Sequence, residues 1–204
     1  MIKGTEKEYL GADYNIPYDI NEFKKIMIAV RDGKIKELKK YKGDINDKIE
    51  WYGGKFCPEQ SLLSIACQNG HKNIVDYLIN KGAKIDDQDE YGSTPLHYCS
   101  IRGHLNIVKK LVEEGTNPNK KAVKKFVRIY GLNTLKTSGT KETPLHNACH
   151  LGHLDVVKYL ISQGASLNII DYFEETPKQK CEQGKWVLQI WEKCLRMQEY
   201  LIKI

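Results

Sequence analysis

Thr94-Pro95-Leu96-His97-Tyr98-Cys99-Ser100-Ile101-Arg102-Gly103-His104 is echoed by Thr143-Pro144-Leu145-His146-Asn147-Ala148-Cys149-His150-Leu151-Gly152-His153. In each stretch a Gly-His pair begins nine residues after the Thr. Each runs on into the same apolar beat, Ile107, Val108, Leu111 and Val112 in the first and Val156, Val157, Leu160 and Ile161 in the second. Apolar residues at i, i+1, i+4 and i+5 mark one buried face of a helix. Each stretch then closes on a glycine and an asparagine, Gly115 with Asn119 and Gly164 with Asn168.

Further copies lie on either side. Ser61-Leu62-Leu63-Ser64-Ile65-Ala66-Cys67, with Gly70-His71 after it, starts 33 residues before Thr94. Thr176-Pro177 starts 33 residues after Thr143 and leads to Val187, Leu188, Ile190 and Trp191. A weaker opening copy reads Ile28-Ala29-Val30-Arg31-Asp32-Gly33 and ends at Asn46. Self-similarity at a fixed period of this size marks a stacked array, because one unit cannot bury its apolar face alone. Thr94, Thr143 and Thr176 suit helix N-caps, and Pro95, Pro144 and Pro177 follow at the first helical position, where a missing N–H costs nothing.

Thr-Pro-Leu-His, Gly-His, the paired apolar beat and Gly-Ala-x-x-Asn at a 33-residue period resemble the ankyrin repeat family. The resemblance implies an all-α solenoid of about five stacked helix–turn–helix units, joined by hairpin-like fingers, with degenerate repeats as end caps. The expected organisation is a tail over residues 1–18 and an array over 19–204. Its repeats fall at about 21–46, 56–88, 89–119, 138–170 and 171–204, with an insertion at about 120–137. Asp19 and Glu22 suit a capping box at the opening helix, and Trp186–Ile202 reads as a closing helix.

The repeat columns also absorb the residue types that chemistry would need. Ala66, Cys99, Ala148 and Cys181 share one column, and Cys67, Ser100 and Cys149 share the next, so four of the six cysteines read as small packing residues. Cys57 and Cys194 have no such role. No pair has C-x-x-C spacing, which removes support for a zinc site. The start of the chain carries no apolar signal run, so the thiols are expected to be reduced. His97, His146, His71, His104 and His153 sit on repeat positions and are expected to hydrogen-bond turns and neighbouring repeats. No phosphate loop, metalloprotease or nucleophile-elbow motif is present. The expectation is therefore no enzyme, no catalytic residue, no metal and no cofactor.

One departure from the period carries charge. Thr94 to Thr143 spans 49 residues, 16 more than one repeat. Residues 120–141 hold seven Lys and Arg and no acid, while the 25 basic and 26 acidic residues elsewhere nearly cancel. Ala122, Val123, Phe126, Val127 and Tyr130 fall on one helical face, which predicts a short amphipathic helix over Lys120–Tyr130 within an enlarged finger. A second departure, Asp47–Gln60, is longer than a standard finger and contains Trp51 and Tyr52.

The expected function is a non-catalytic adaptor that binds a protein on its concave face. The resemblance places partner contacts at Glu90, Tyr91, Ile101, Arg102, His150, Leu151, Tyr172 and Phe173. Tyr and Arg are common interface anchors. The alternative is an anion tether for nucleic acid, an anionic membrane or an acidic protein patch, acting through Lys120, Lys121, Lys124, Lys125 and Arg128. The chain is expected to be a cytoplasmic or nuclear monomer with no small-molecule substrate.

Overall fold

The computed structural model describes residues 20–48, 60–123, 127–129, 132–134 and 139–183. The predicted tail, Asp19, most of the Asp47–Gln60 segment with Trp51 and Tyr52, Cys57, the closing helix and Cys194 lie outside those residues.

Helices come in pairs joined by a tight Gly turn. They are α1 (Ile20–Arg31) with α2 (Ile35–Leu38), α3 (Leu62–Asn69) with α4 (Lys72–Asn80), α5 (Pro95–Arg102) with α6 (Leu105–Glu113), and α7 (Pro144–His150) with α8 (Leu154–Ser162). The last described helix is α9 (Pro177–Gln183). First helices stack in a row, α1 on α3, α3 on α5, α5 on α7 and α7 on α9. Second helices form a parallel row, α4 on α6 and α6 on α8. The core runs between the rows through Leu62, Leu96 and Leu145 of the first helices and Ile74, Val75, Ile107, Val108, Val156 and Val157 of the second. The helix pairs form the all-α solenoid that the resemblance to ankyrin repeats implies.

The repeat residues do what their columns require. Thr94 and Thr143 cap α5 and α7 with reciprocal bonds to the third helical residue, and Pro95 and Pro144 open the helices. His97 Nδ1 accepts the Thr94 N–H at 3.1 Å, and its Nε2 donates to the Glu142 carbonyl at 3.1 Å. His146 repeats this with Thr143 at 3.1 Å and Glu175 at 3.0 Å. His71, His104 and His153 donate from Nε2 to the carbonyls of Arg31, Gln68 and Ile101 on the preceding first helix, at 2.8, 3.3 and 2.8 Å. Gly103 shows why each such helix ends on glycine. Its φ is 71°, and the His153 ring occupies the space a Cβ would need.

The described fingers share one backbone bond at their base. Asp89 N–H donates to Ser93 O at 3.0 Å, and Asp171 N–H to Glu175 O at 2.9 Å. In the enlarged finger the same bond joins Ala122 to Glu142 at 2.8 Å. The surplus of the long repeat is thus threaded through the tip of a finger whose base is kept.

Two expectations are corrected. The predicted helix over Lys120–Tyr130 gives way, among its described residues, to a strand: β1 (Val127–Ile129) pairs antiparallel with β2 (Leu132–Thr134), Val127 opposite Thr134 and Ile129 opposite Leu132. The finger base is already antiparallel, since Lys141 N–H also donates to Ala122 O at 3.0 Å. β-Branched Val127 and Ile129 favour that continuation over a helix too short to stand alone. The thiols are not all reduced either. Cys149 and Cys181 form a disulfide with their Cα atoms 4.5 Å apart. Stacking α7 on α9 sets neighbouring columns of successive repeats face to face, at a separation a disulfide accepts. Cys67 and Cys99 keep the packing role expected of them and are fully buried.

Among the described residues no helix is long and apolar enough to cross a membrane. Among them no group of His, Cys, Asp and Glu is arranged to hold a metal.

Candidate functional site

Finger tips hold large apolar side chains outward, and among the described residues Tyr172 and Phe173 are the most exposed of their kind. Tyr91, Tyr172 and Phe173 are 41%, 64% and 68% exposed. Asp89 and Asp171 explain how such residues are held outward. Oδ1 of Asp89 accepts the N–H groups of Tyr91 and Ser93, each at 2.8 Å. Oδ1 of Asp171 accepts those of Phe173 and Glu175 at 2.7 and 3.0 Å. One buried carboxylate thus fixes a four-residue turn and aims its tip at solvent. Ala122 stands in the same column, cannot do this, and is where the finger is drawn out.

Three fingers lie side by side. Gly139, at φ 107°, is pressed against the carbonyls of Tyr91 and Ala122, where a Cβ has no room. The next residue, Thr140, accepts the Tyr172 N–H at 2.8 Å. The returning limb of the enlarged finger is therefore wedged between Tyr91 and Tyr172. The Tyr172 and Phe173 rings meet edge to face at 5.6 Å. Lys141 lies over the Tyr172 ring at 5.7 Å, and Lys180 over that of Phe173 at 5.3 Å.

Lys180 is the electrostatic centre of this end. Its side chain is 8% exposed, and its ammonium meets Glu175 at 2.9 Å, Asp171 at 3.0 Å and Glu142 at 3.6 Å. Burial works against the ammonium, but the Glu175, Asp171 and Glu142 carboxylates outweigh it and raise its pKa above the ordinary lysine value. Burial would likewise raise the Asp171 carboxyl. The Glu175 and Phe173 N–H groups and Lys180 hold it below the usual range instead.

The eight positions expected to contact a partner fall into two groups along the fold. Glu90, Tyr91, Tyr172 and Phe173 sit on finger tips. Ile101, Arg102, His150 and Leu151 sit at the far ends of α5 and α7, about 10 Å away by helix rise. Of this second group Arg102, His150 and Leu151 are exposed and Ile101 is half-buried. The buried residues Tyr98 and Asn147 lie between the two groups in sequence, on α5 and α7. Of the basic positions, Lys120 is half-buried, and half-buried Lys121 donates from Nζ to the Ile170 carbonyl at 3.3 Å. Arg128 is in β1, and Lys124 and Lys125 lie outside the described residues.

Lys180 and exposed Ile170 belong to the tip region and were missed by motif reading, while Lys141 was read only as part of the basic 120–141 segment. Lys180 had a readable signal. It stands nine residues after Asp171, as Tyr98 stands nine after Asp89, and the Tyr98 hydroxyl donates to the Asp89 carboxylate just as Lys180 pairs with Asp171.

Comparison with known proteins agrees with this architecture. The family described as Ankyrin repeats (3 copies) matches residues 26–122, and Ankyrin repeat matches residues 140–172. The ADP-ribosylation factor GTPase-activating protein AGD2 of Arabidopsis thaliana is 39% identical over 59 residues, 29% of this chain and 8% of that protein. The putative ankyrin repeat protein FPV233 of Fowlpox virus is 40% identical over 62 residues, 30% of this chain and 12% of that protein. The palmitoyltransferase ZDHHC17 of Homo sapiens is 38% identical over 60 residues, 29% of this chain and 10% of that protein. The enzymes among these relatives share only a stretch of about two repeats with it, and the chain covers 8–12% of the relatives' own length. With both family descriptions falling on the helix pairs described above, the chain belongs to the ankyrin repeat family.

Proposed function

We propose that this protein is a non-catalytic adaptor that docks a protein partner across its finger tips and the adjoining first-helix surface. Ankyrin repeats are generally protein–protein interaction modules. The observation that carries the reading is the Tyr172–Phe173 pair, two aromatic rings held in solvent by a rigid turn and flanked by Lys141 and Lys180. A folded chain holding large apolar rings outward is prepared to bury them against something else. Tyr91 extends the surface across the enlarged finger, and Arg102, His150 and Leu151 supply a second contact line. The adaptor works as a cytoplasmic monomer and takes no small-molecule substrate.

The test is capture of partners from a lysate of the source cells, at low and high salt, with the wild type and with Tyr91→Ala/Phe173→Ala. A protein retained at high salt by the wild type and released at least tenfold more readily by the variant is the expected result. Equal retention by the variant removes the finger tips from the interface. Retention only at low salt, of nucleic acid or anionic lipid, transfers the function to the basic segment around Lys120, Lys121, Lys124, Lys125 and Arg128.

A further inference from the structure

The Cys149–Cys181 bond joins two particular columns. Cys149 is the seventh residue of its Thr-Pro-Leu-His unit, counted from Thr143, and Cys181 is the sixth of the next, counted from Thr176. Read along the stack, the same pair of positions is Val30 with Ala66, Cys67 with Cys99, Ser100 with Ala148, and Cys149 with Cys181. Cysteine therefore fills both sides of every second junction. Cys67 and Cys99 are 32 residues apart, as are Cys149 and Cys181, and they face each other across α3 and α5 as the bonded pair does across α7 and α9. Both sulfurs are fully buried, and the Cys99 thiol donates to the Leu96 carbonyl at 3.3 Å.

We propose that Cys67 and Cys99 are a second disulfide site, so that oxidation braces this stack at alternate junctions. The reaction is thiol–disulfide exchange with a low-molecular-weight disulfide such as oxidised glutathione. The two thiols lose two protons and two electrons, a sulfur–sulfur bond forms between Cys67 and Cys99, and the reagent's disulfide bond breaks to give two small thiols. Burial, and then the hydrogen bond to Cys99, push the Cys67 thiol well above its ordinary pKa. The thiolate that must attack is therefore scarce in the closed stack, and the bond forms when the junction opens. In a reducing compartment Cys67 and Cys99 stay unjoined until an oxidant links them. Once closed, they leave the Ser100–Ala148 junction, which carries the enlarged finger, as the unbraced joint between two fastened repeat pairs.

The experiment uses the full chain, reduced and then exposed to oxidised glutathione with and without moderate urea. It is followed by acid quench, alkylation and peptide mapping by mass spectrometry. The expected product is a peptide pair linking Cys67 to Cys99, formed faster in urea. Recovery of Cys67 and Cys99 as separate alkylated or glutathionylated peptides, or joined to other cysteines, while Cys149–Cys181 forms, overturns the proposal. Cys67→Ser and Cys99→Ala are the matched controls, since Ser100 and Ala148 already occupy those columns. Each variant is expected to lose about 5–10 °C of the Tm gain that oxidation gives the wild type. An undiminished gain also overturns it.

Discussion

His97 shows how tightly one side chain is specified. Its Nδ1 accepts the Thr94 N–H and its Nε2 donates to Glu142 O, so only the neutral ring with its proton on Nε2 satisfies both. A second proton would aim N–H at N–H, and complete burial already lowers the pKa to about 4. The unfolded chain takes up that proton near the ordinary value of about 6.5. His97 stability is therefore complete above that value and is lost as pH falls from there towards 4, by about 3 kcal/mol. Gln179 holds the same column and accepts the Thr176 N–H at 2.8 Å without titrating. His97→Gln should therefore flatten the dependence of Tm on pH across this window, although it weakens the bond to Glu142. An unchanged slope would assign the acid sensitivity elsewhere. A second residue works in the opposite sense. Asn46 bridges to the next repeat by donating to Gly82 O at 3.4 Å and accepting from Lys84 N–H at 2.9 Å, and Asn119 does the same with Gly164 and Ser166 at 3.1 and 2.6 Å. Asp86 fills that column in the second repeat, cannot donate, and has a buried Oδ1 without a hydrogen-bond partner. Asp86→Asn should restore the bridge to Gly115 and stabilise the fold by about 1 kcal/mol in urea titration. A neutral or destabilising result would show that the second and third repeats meet differently.

At the scale of the element, the finger depends on one aspartate. Asp89 Oδ1 holds the turn and Oδ2 accepts the Tyr98 hydroxyl, with Asp89 almost fully buried. Tyr98→Phe leaves that oxygen without its donor and should cost about 1–3 kcal/mol by chemical denaturation, with loosened protection of the Tyr91 and Ser93 amides. A loss below about 0.3 kcal/mol would mean that water replaces the hydroxyl without penalty. These elements differ in how far they can be read from residues alone. Thr-Pro-Leu-His states its helix start, cap and buried face locally, so α5 and α7 were legible. The enlarged finger was not. Ala122, Val123, Phe126, Val127 and Tyr130 satisfy a helical spacing, but the Ala122–Glu142 ladder, set by stacking against neighbouring fingers, imposes an antiparallel path. The Cys149–Cys181 pairing was hidden for a related reason. The two residues lie in different columns, and only the offset between stacked first helices sets them opposite each other. Finger-tip exposure at Tyr172 and Phe173 was readable from the family's variable positions. The cation beneath Phe173 was not, because Lys180 reads as a solvated charge until Asp171, Glu175 and Glu142 close around it.

In the molecule as a whole, each repeat touches only its neighbours, so stability is a chain of local junctions. Lys180 lets this be tested. It joins Glu142 at the base of the enlarged finger to Asp171 and Glu175 in the next finger, and it underlies the Phe173 ring. Lys180→Met keeps the length of the side chain but leaves three carboxylates without their shared cation. Breaking a buried ion group from one side costs about 3–5 kcal/mol. In a stack that cost falls on the last junctions and reaches the first ones only through intervening repeats. Hydrogen exchange on the variant should show protection lost across α7 to α9 and the Asp171–Glu175 turn, while α3 and α4 exchange as in the wild type. Neutralising one acid, in Lys180→Met/Asp171→Asn, should recover part of the loss through relief of repulsion, although the turn bonds weaken. Equal loss of protection in α3 and α8 would mean that the array opens as a single cooperative body. The finger tips could then not rearrange around a partner while the opening repeats stay folded.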